Sequence, residues 1–295
     1  MKQVFIRGAY LGIGIVSGVV SKSIFDRLSY KEEDILSRSD SRDIAGRYGF
    51  PSRTEALRYK NYVVGYNSCH KTPAWVFQTL TRKNLSGDAK RDTCAFKKDT
   101  RIDKKFSASD EDYIKSGFSK GHMAPAGDYK SSQTEMEETF YFTNVVPQNF
   151  ANNSGLWLKL ERFCRKLTKN YSKVYIVSGP LFLAKNSPDD GRKFIKYQVI
   201  GPKEVAVPTH LYKVIMVEKE GKPVAIEAFV VPNVPVSDYK NLREFSFPLD
   251  TLETKLGFTI FPKLAKEALS RLCDIEKCQL LSKEIIDMNK IVKSV

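Results

Sequence analysis

The chain has 295 residues, 42% of them hydrophobic, with 18 Phe and 14 Tyr, which supplies a packed core for one large domain and excludes a globally disordered polymer. Lys and Arg number 48 against 34 Asp and Glu, a formal net charge of +14. Such a surface favours polyanions, nucleic acid foremost, but charge alone carries no chemistry. The five cysteines (Cys69, Cys94, Cys164, Cys273 and Cys278) are irregularly spaced and form no CxxC pair, and only three histidines are present, His70, His122 and His210. That argues against a zinc site. The cysteines read as reduced and structural, with a Cys273–Cys278 disulfide as the alternative in an oxidising compartment.

Residues 8–20 (GAYLGIGIVSGVV) are uncharged and lie between Lys2 and Arg7 on one side and Lys22 and Arg27 on the other. A membrane span needs about 20 apolar residues, so this stretch is short for a full crossing unless Arg7 and Lys22 snorkel. No acidic residue precedes Asp26. That composition fits a mitochondrial import signal that doubles as an inner-membrane anchor, ahead of a secretory signal or a buried helix. Residues 28–44 are polar and charged, a linker or exposed helix, and 47–51 read as a turn into the globular part.

Residues 61–67 and 74–81 are strand-like and joined by a turn at 68–73, a hairpin signal. Residues 82–112 are polar and lack apolar runs; an irregular loop of that length inside a domain is often functional. Strands are expected at 139–147 and 173–179. Between them, Leu156, Trp157, Leu160, Phe163, Cys164 and Leu167 recur with helical period, so 154–170 is an amphipathic helix with Asn152, Asn153 and Ser154 at its start. Further strands are expected at 197–200, 211–217 and 224–231, and helices at 248–257, 264–281 and 284–292. Strands and helices mix without regular βαβ alternation, which argues for an α+β fold.

His70 reads as an exposed turn residue and His210 as structural at a strand start. His122 stands out, in SKGHMAPAGD (119–128), where Gly121 allows a tight turn or close approach of a ligand. Hydrolysis of a phosphodiester needs a base near neutral pH, which imidazole provides, and a cation to neutralise developing charge. Mg²⁺ takes oxygen ligands and keeps most of its waters. Asn153 and Glu161 offer such groups. On a helix, Trp157, Glu161 and Arg165 are spaced i, i+4, i+8 along one side; a capping Asn with an exposed Glu–Arg pair accounts for the same spacing without catalysis.

These segments, with RYGFPSRTEALRY (47–59), ETFYFTNVVPQNFANNSGLW (138–157), YIVSGPL (175–181) and VAVPTHLYKVI (205–215), resemble the DNA/RNA non-specific endonucleases with a ββα-metal site, the mitochondrial exo/endonuclease G branch above all. The resemblance covers roughly residues 45–285. It implies a mixed central β-sheet flanked by helices, with residues 1–44 as a targeting or anchor segment, 45–262 as the nuclease domain and 263–295 as a helical extension. It further implies His122 as general base, Asn153 as the direct ligand of Mg²⁺ (or Mn²⁺), and Glu161 as the carboxylate that orients waters around it. Asn144 matches a motif asparagine near the site, and Arg91 and Arg165 match arginines near the phosphate. Lys120 stands where the family motif, DRGH, carries arginine; it keeps the charge but loses the planar fork. The implied activity is sequence-independent cleavage of DNA and/or RNA that leaves 5′-phosphate ends, in mitochondria, by a homodimer. The alternative is a catalytically weakened nucleic-acid-binding member of the same fold, for which Lys120 is the sole sequence support. The chain is expected to end sooner after the nuclease core than its exonucleolytic relatives.

Overall fold

The computed structural model of the chain describes residues 49, 56–188, 190–236 and 241–278. The expectations for 8–20, 28–44 and 284–292, and most of that for 47–51, lie outside the described residues.

Three strands open the described fold: β1 (Ala56–Arg58), β2 (Tyr62–Asn67) and β3 (Thr72–Leu80), with the expected turn between β2 and β3. A short ribbon follows, β4 (Ser119–His122) antiparallel to β5 (Val145–Gln148). Then come β6 (Lys173–Leu181), two small pairs made of β7 (Lys185–Asn186) with β8 (Lys193–Phe194) and β9 (Val199–Ile200) with β10 (Val205–Ala206), and the long hairpin β11 (His210–Lys219) and β12 (Lys222–Pro232). β13 (Ser270–Arg271) pairs in parallel with β12 and closes the central sheet, whose order is β1-β2-β3-β6-β11-β12-β13. Every other neighbour in that sheet is antiparallel. The fold is α+β with a mixed central sheet, as read from the sequence.

β6 and β11 are buried along nearly their whole length because both faces of the sheet are covered. Ile176, Ile215 and Phe229 join one core with Leu160, Phe163 and Leu167 of the helix Leu158–Leu167. Val177, Val214 and Ala228 join a second core with Leu252 of the helix Leu249–Leu256 and Phe261. The second helix ends on Gly257 in the left-handed conformation (φ 77°), where glycine has no Cβ penalty.

Several expected elements differ. The strand foreseen over 139–147 begins only at Val145, because Phe142–Asn144 forms a 3₁₀ turn; the Asn144 amide donates to the Thr139 carbonyl at 2.8 Å and holds that turn. The helix foreseen from 154 begins at Phe150. Its cap is Asn149, whose side chain accepts from the Asn152 backbone N–H at 3.1 Å, so Asn152 and Asn153 lie inside the helix. It passes through a π turn, Asn153–Trp157, with Gly155 at non-helical angles, before Leu158–Leu167. In place of a core strand at 197–200 there is only the two-residue β9, with Tyr197 and Val199 exposed.

The helix foreseen over 264–281 is replaced, up to residue 278, by a 3₁₀ turn at Lys266–Ala268, β13 and the short helix Leu272–Ile275. The buried Glu227 carboxylate captures this segment through Arg271 at 3.1 Å and the Cys273 N–H at 3.2 Å. Cys273 and Cys278 form a disulfide, while Cys69, Cys94 and Cys164 are free. His70 sits in the turn but half-buried, its ring 4.6 Å from that of Phe182.

Gly121 has its own structural reason. A Cβ there would lie 2.1 Å from Gln148 Oε1 and 2.7 Å from Gln148 Cβ. The missing side chain therefore admits Gln148 across the ribbon rather than a ligand. Gly121→Ala is expected to destabilise the protein by about 1–3 kcal/mol through overpacking, measured by urea denaturation.

Candidate active site

The β4–β5 ribbon followed directly by the helix from Phe150 makes a ββα unit. Its helix docks on β4 through the Trp157 indole N–H, which donates to the His122 carbonyl at 3.4 Å. A cleft of about 410 Å³ opens beside this junction, lined among others by His122, Arg91, Asn153, Glu161 and Arg165. Four sequence segments thus converge on one cleft.

His122 is buried against Phe140 and Phe96, ring centroids 4.9 and 5.3 Å away. Its ring hydrogen-bonds the Lys120 backbone carbonyl, and Nε2 has no partner among the described residues. The ring is therefore protonated on Nδ1, with the Nε2 lone pair free. Burial, and secondarily the Arg91 cation, push its pKa down to about 3. The imidazole is neutral through the physiological range.

Glu161 and Arg165 face one another at 3.4 Å. Arg165 also donates from Nε to Asp128 at 2.6 Å, a carboxylate that is 1% exposed. Burial raises the Asp128 pKa, opposed by Arg165. Glu161 is pushed up to about 7 by burial, opposed by Lys213 and Arg165. Arg91 is exposed at the cleft and has no carboxylate partner among the described residues. Its charge is available to an anion.

Asn153 is at the first position of the π turn. Its Nδ2 donates to Ser119 Oγ at 3.1 Å, which leaves Oδ1 as its donor atom for a cation. Among the described residues no group of three His, Cys, Asp or Glu side chains converges on a point. Among the described side chains of the cleft, the Asn153 amide oxygen and the Glu161 carboxylate are oxygen donors suited to a hard cation. That set fits a divalent ion that keeps most of its waters, the habit of Mg²⁺.

Two expected residues lie outside the cleft lining. Lys120 pairs with Asp110, its ammonium 4.6 Å over the Phe96 ring that packs on His122. Asn144 is fully buried and committed to backbone: Oδ1 accepts from Ala124 N–H at 2.9 Å, and Nδ2 donates to the Ala124 and Thr139 carbonyls. Its amide braces the chain just after His122 and has no capacity left for substrate. A larger cleft of about 630 Å³ lies at Glu227, Arg243 and Arg271, but its buried carboxylate is paired with Arg271 and Ser246.

The family model of the DNA/RNA non-specific endonucleases matches residues 43–267. The chain belongs to that family. It is 45% identical over 280 residues to the mitochondrial nuclease EXOG of Danio rerio, covering 94% of this chain and 80% of that protein. It is 36% identical to the mitochondrial endonuclease G of Homo sapiens, covering 75% of this chain and 74% of that one. The crystal structure of an EndoG/EndoGI complex contains a chain that superposes with a TM-score of 0.76 at 37% identity, over 80% of this chain and 96% of that one. This member of the family is a nuclease, a hydrolase of phosphodiester bonds, and nucleases of the family are metal-dependent.

Sequence reasoning missed the support beneath this nuclease site. Lys213 is 1% exposed in the middle of β11; it donates to Ser178 Oγ at 2.6 Å, and its ammonium lies 4.5 Å over the Trp157 ring. A lone lysine in the apolar run LYKVIMV was the available signal. Asp128 carried no signal beyond lying in the same motif as His122.

Glu161 ionises near 4.5 when unfolded and near 7 when folded. Between those values the folded state keeps a proton that the unfolded state has released, so stability falls as pH rises through the window. In metal-free protein, Glu161→Gln is expected to melt above wild type at pH 8, by the equivalent of about 3 kcal/mol, and level with it near pH 4. A melting series in EDTA across that range checks both ends.

Proposed function

We propose that the chain is a Mg²⁺-dependent nuclease that cuts the DNA and/or RNA backbone with little sequence preference, with His122 as general base. The observation that carries this reading is the unpartnered Nε2 of a neutral, buried imidazole in a cleft shared with Asn153, Glu161 and Arg91.

In this reading His122 Nε2 takes a proton from water as that water attacks phosphorus, and the bond from phosphorus to the 3′ oxygen breaks. The departing 3′ oxygen takes a proton from solvent, so the products carry a 5′-phosphate and a 3′-hydroxyl. Asn153 Oδ1 would hold the cation, Mg²⁺ or Mn²⁺ in its place, and Glu161 would accept hydrogen bonds from its waters. When bound there, the cation neutralises charge on the phosphate and on the departing oxygen. Arg91 presents its guanidinium to the phosphate at the mouth of the cleft. Arg165 adds positive charge from a fixed position, because Asp128 holds it. Lys120 reaches the phosphate only by leaving Asp110. Recognition directed at phosphate, on a chain of net charge +14, accounts for tolerance of base and sugar.

Mitochondrial localisation is part of the proposal, supported by the mitochondrial names of the relatives and the basic, acid-free start of the chain. Association with the inner membrane through residues 8–20, a homodimer, and the division at 44/45 and 262/263 are held as proposals too. No helix among the described residues is long and apolar enough to cross a membrane.

His122→Ala is expected to lose at least about 10²-fold in cleavage of plasmid DNA with Mg²⁺ while retaining its fold by circular dichroism. Unchanged cleavage would remove His122 from the mechanism. Arg91→Ala is expected to weaken substrate binding and to flatten its salt dependence by about one unit of slope, read from binding of a 5′-labelled duplex to the EDTA-treated protein over a salt series.

A further inference from the structure

Ser119 opens β4 and is the register partner of Gln148 on β5. Its hydroxyl donates to the Gln148 carbonyl at 2.8 Å. A hydroxyl has one proton to give. With that proton on the carbonyl, the Ser119 oxygen can only accept, and it accepts from Asn153 Nδ2 at 3.1 Å.

A side-chain amide has nearly the same shape in its two flipped orientations, but its two ends differ in chemistry. Only the oxygen ligates a cation; the NH₂ repels one. Flipping Asn153 would set its Oδ1 against a hydroxyl oxygen whose proton is already committed. The backbone carbonyl of Gln148 therefore dictates the polarity of the hydroxyl, and the hydroxyl dictates the orientation of the amide. The neighbouring Asn152 is held separately, accepting from Gln148 Nε2 at 2.8 Å and donating to the Pro232 carbonyl at 2.9 Å, so it does not compete for Ser119.

We propose that Ser119 is a positioning residue that fixes the orientation of the Asn153 amide, by a one-way hydrogen-bond relay from the Gln148 carbonyl, so that the cleft receives Oδ1 and not N–H. The inference rests on the reading of Asn153 as the cation ligand. Groups that orient a ligand in this way contribute roughly 10- to 100-fold to metal affinity.

The test is Mn²⁺ binding to the full chain, followed by the loss of the free-ion electron paramagnetic resonance signal and independent of turnover. Ser119→Thr keeps the hydroxyl, and Ser119→Val has the same shape without it. Melting temperatures in EDTA show whether the pair are equally folded, and the Thr and Val variants are compared with each other. Ser119→Thr is expected to bind Mn²⁺ as the unaltered chain does. Ser119→Val is expected to bind on the order of 10- to 100-fold more weakly, and Asn153→Ala at least as weakly. Equal affinity in the Thr and Val variants overturns the role of Ser119 while leaving Asn153 as ligand. Wild-type affinity in Asn153→Ala overturns the ligand reading and this inference with it.

Discussion

The site depends on one buried ion pair. Asp128 is 1% exposed and Arg165 reaches it at 2.6 Å, joining the segment after β4 to the helix that carries Asn153 and Glu161. A carboxylate at that depth is costly without a partner, and removing one member of such a pair typically costs about 3–5 kcal/mol. The two parts of the ββα unit are thus bound by charge as well as by apolar packing. Gly127 permits the approach: a Cβ there would stand 3.0 Å from the Arg165 guanidinium.

This arrangement separates the charges by task. Asp128 holds Arg165 in place, while Arg91 stands exposed at the mouth, unpaired by any carboxylate among the described residues. Glu161 is left between Arg165 and the deeper Lys213 in surroundings dry enough to raise its pKa to about 7. His122, packed against Phe96 and Phe140, is driven the opposite way, to about 3. Burial acts on both groups and disfavours the charged form of each. The base is kept unprotonated, and burial holds a proton on the carboxylate to higher pH than usual.

Around this centre the polar side chains serve mainly as connectors. Asn144 closes the 3₁₀ turn before β5 and pins the chain after His122. Asn233 ties three segments, accepting from Asn149 N–H and donating to the Pro147 and Pro208 carbonyls. Gln148 occupies the space that Gly121 leaves and holds Asn152. In a segment as rich in asparagine as 144–153, identical residue types perform different work, and only their partners tell them apart.

The sequence alone determined the class of fold, the hairpin at 61–81, the amphipathic helix and the long central strands β6, β11 and β12, because apolar periodicity and turn residues are local signals that burial reads directly. It also pointed to His122, Asn153, Glu161, Arg91 and Arg165, five residues that line one cleft. It put the start of the amphipathic helix at Asn152, Asn153 and Ser154, three residues past the Asn149 cap of the folded chain, since all of these residue types satisfy the local capping rule. It could not foresee that 264–278 abandons helix, because Glu227, some 40 residues earlier, takes that segment's backbone. It placed Lys120 and Asn144 in the chemistry, whereas tertiary contacts pair the first with Asp110 and commit the second to backbone. Pairing, burial and the direction of a hydrogen bond are properties of neighbours in space, and only the folded chain decided them.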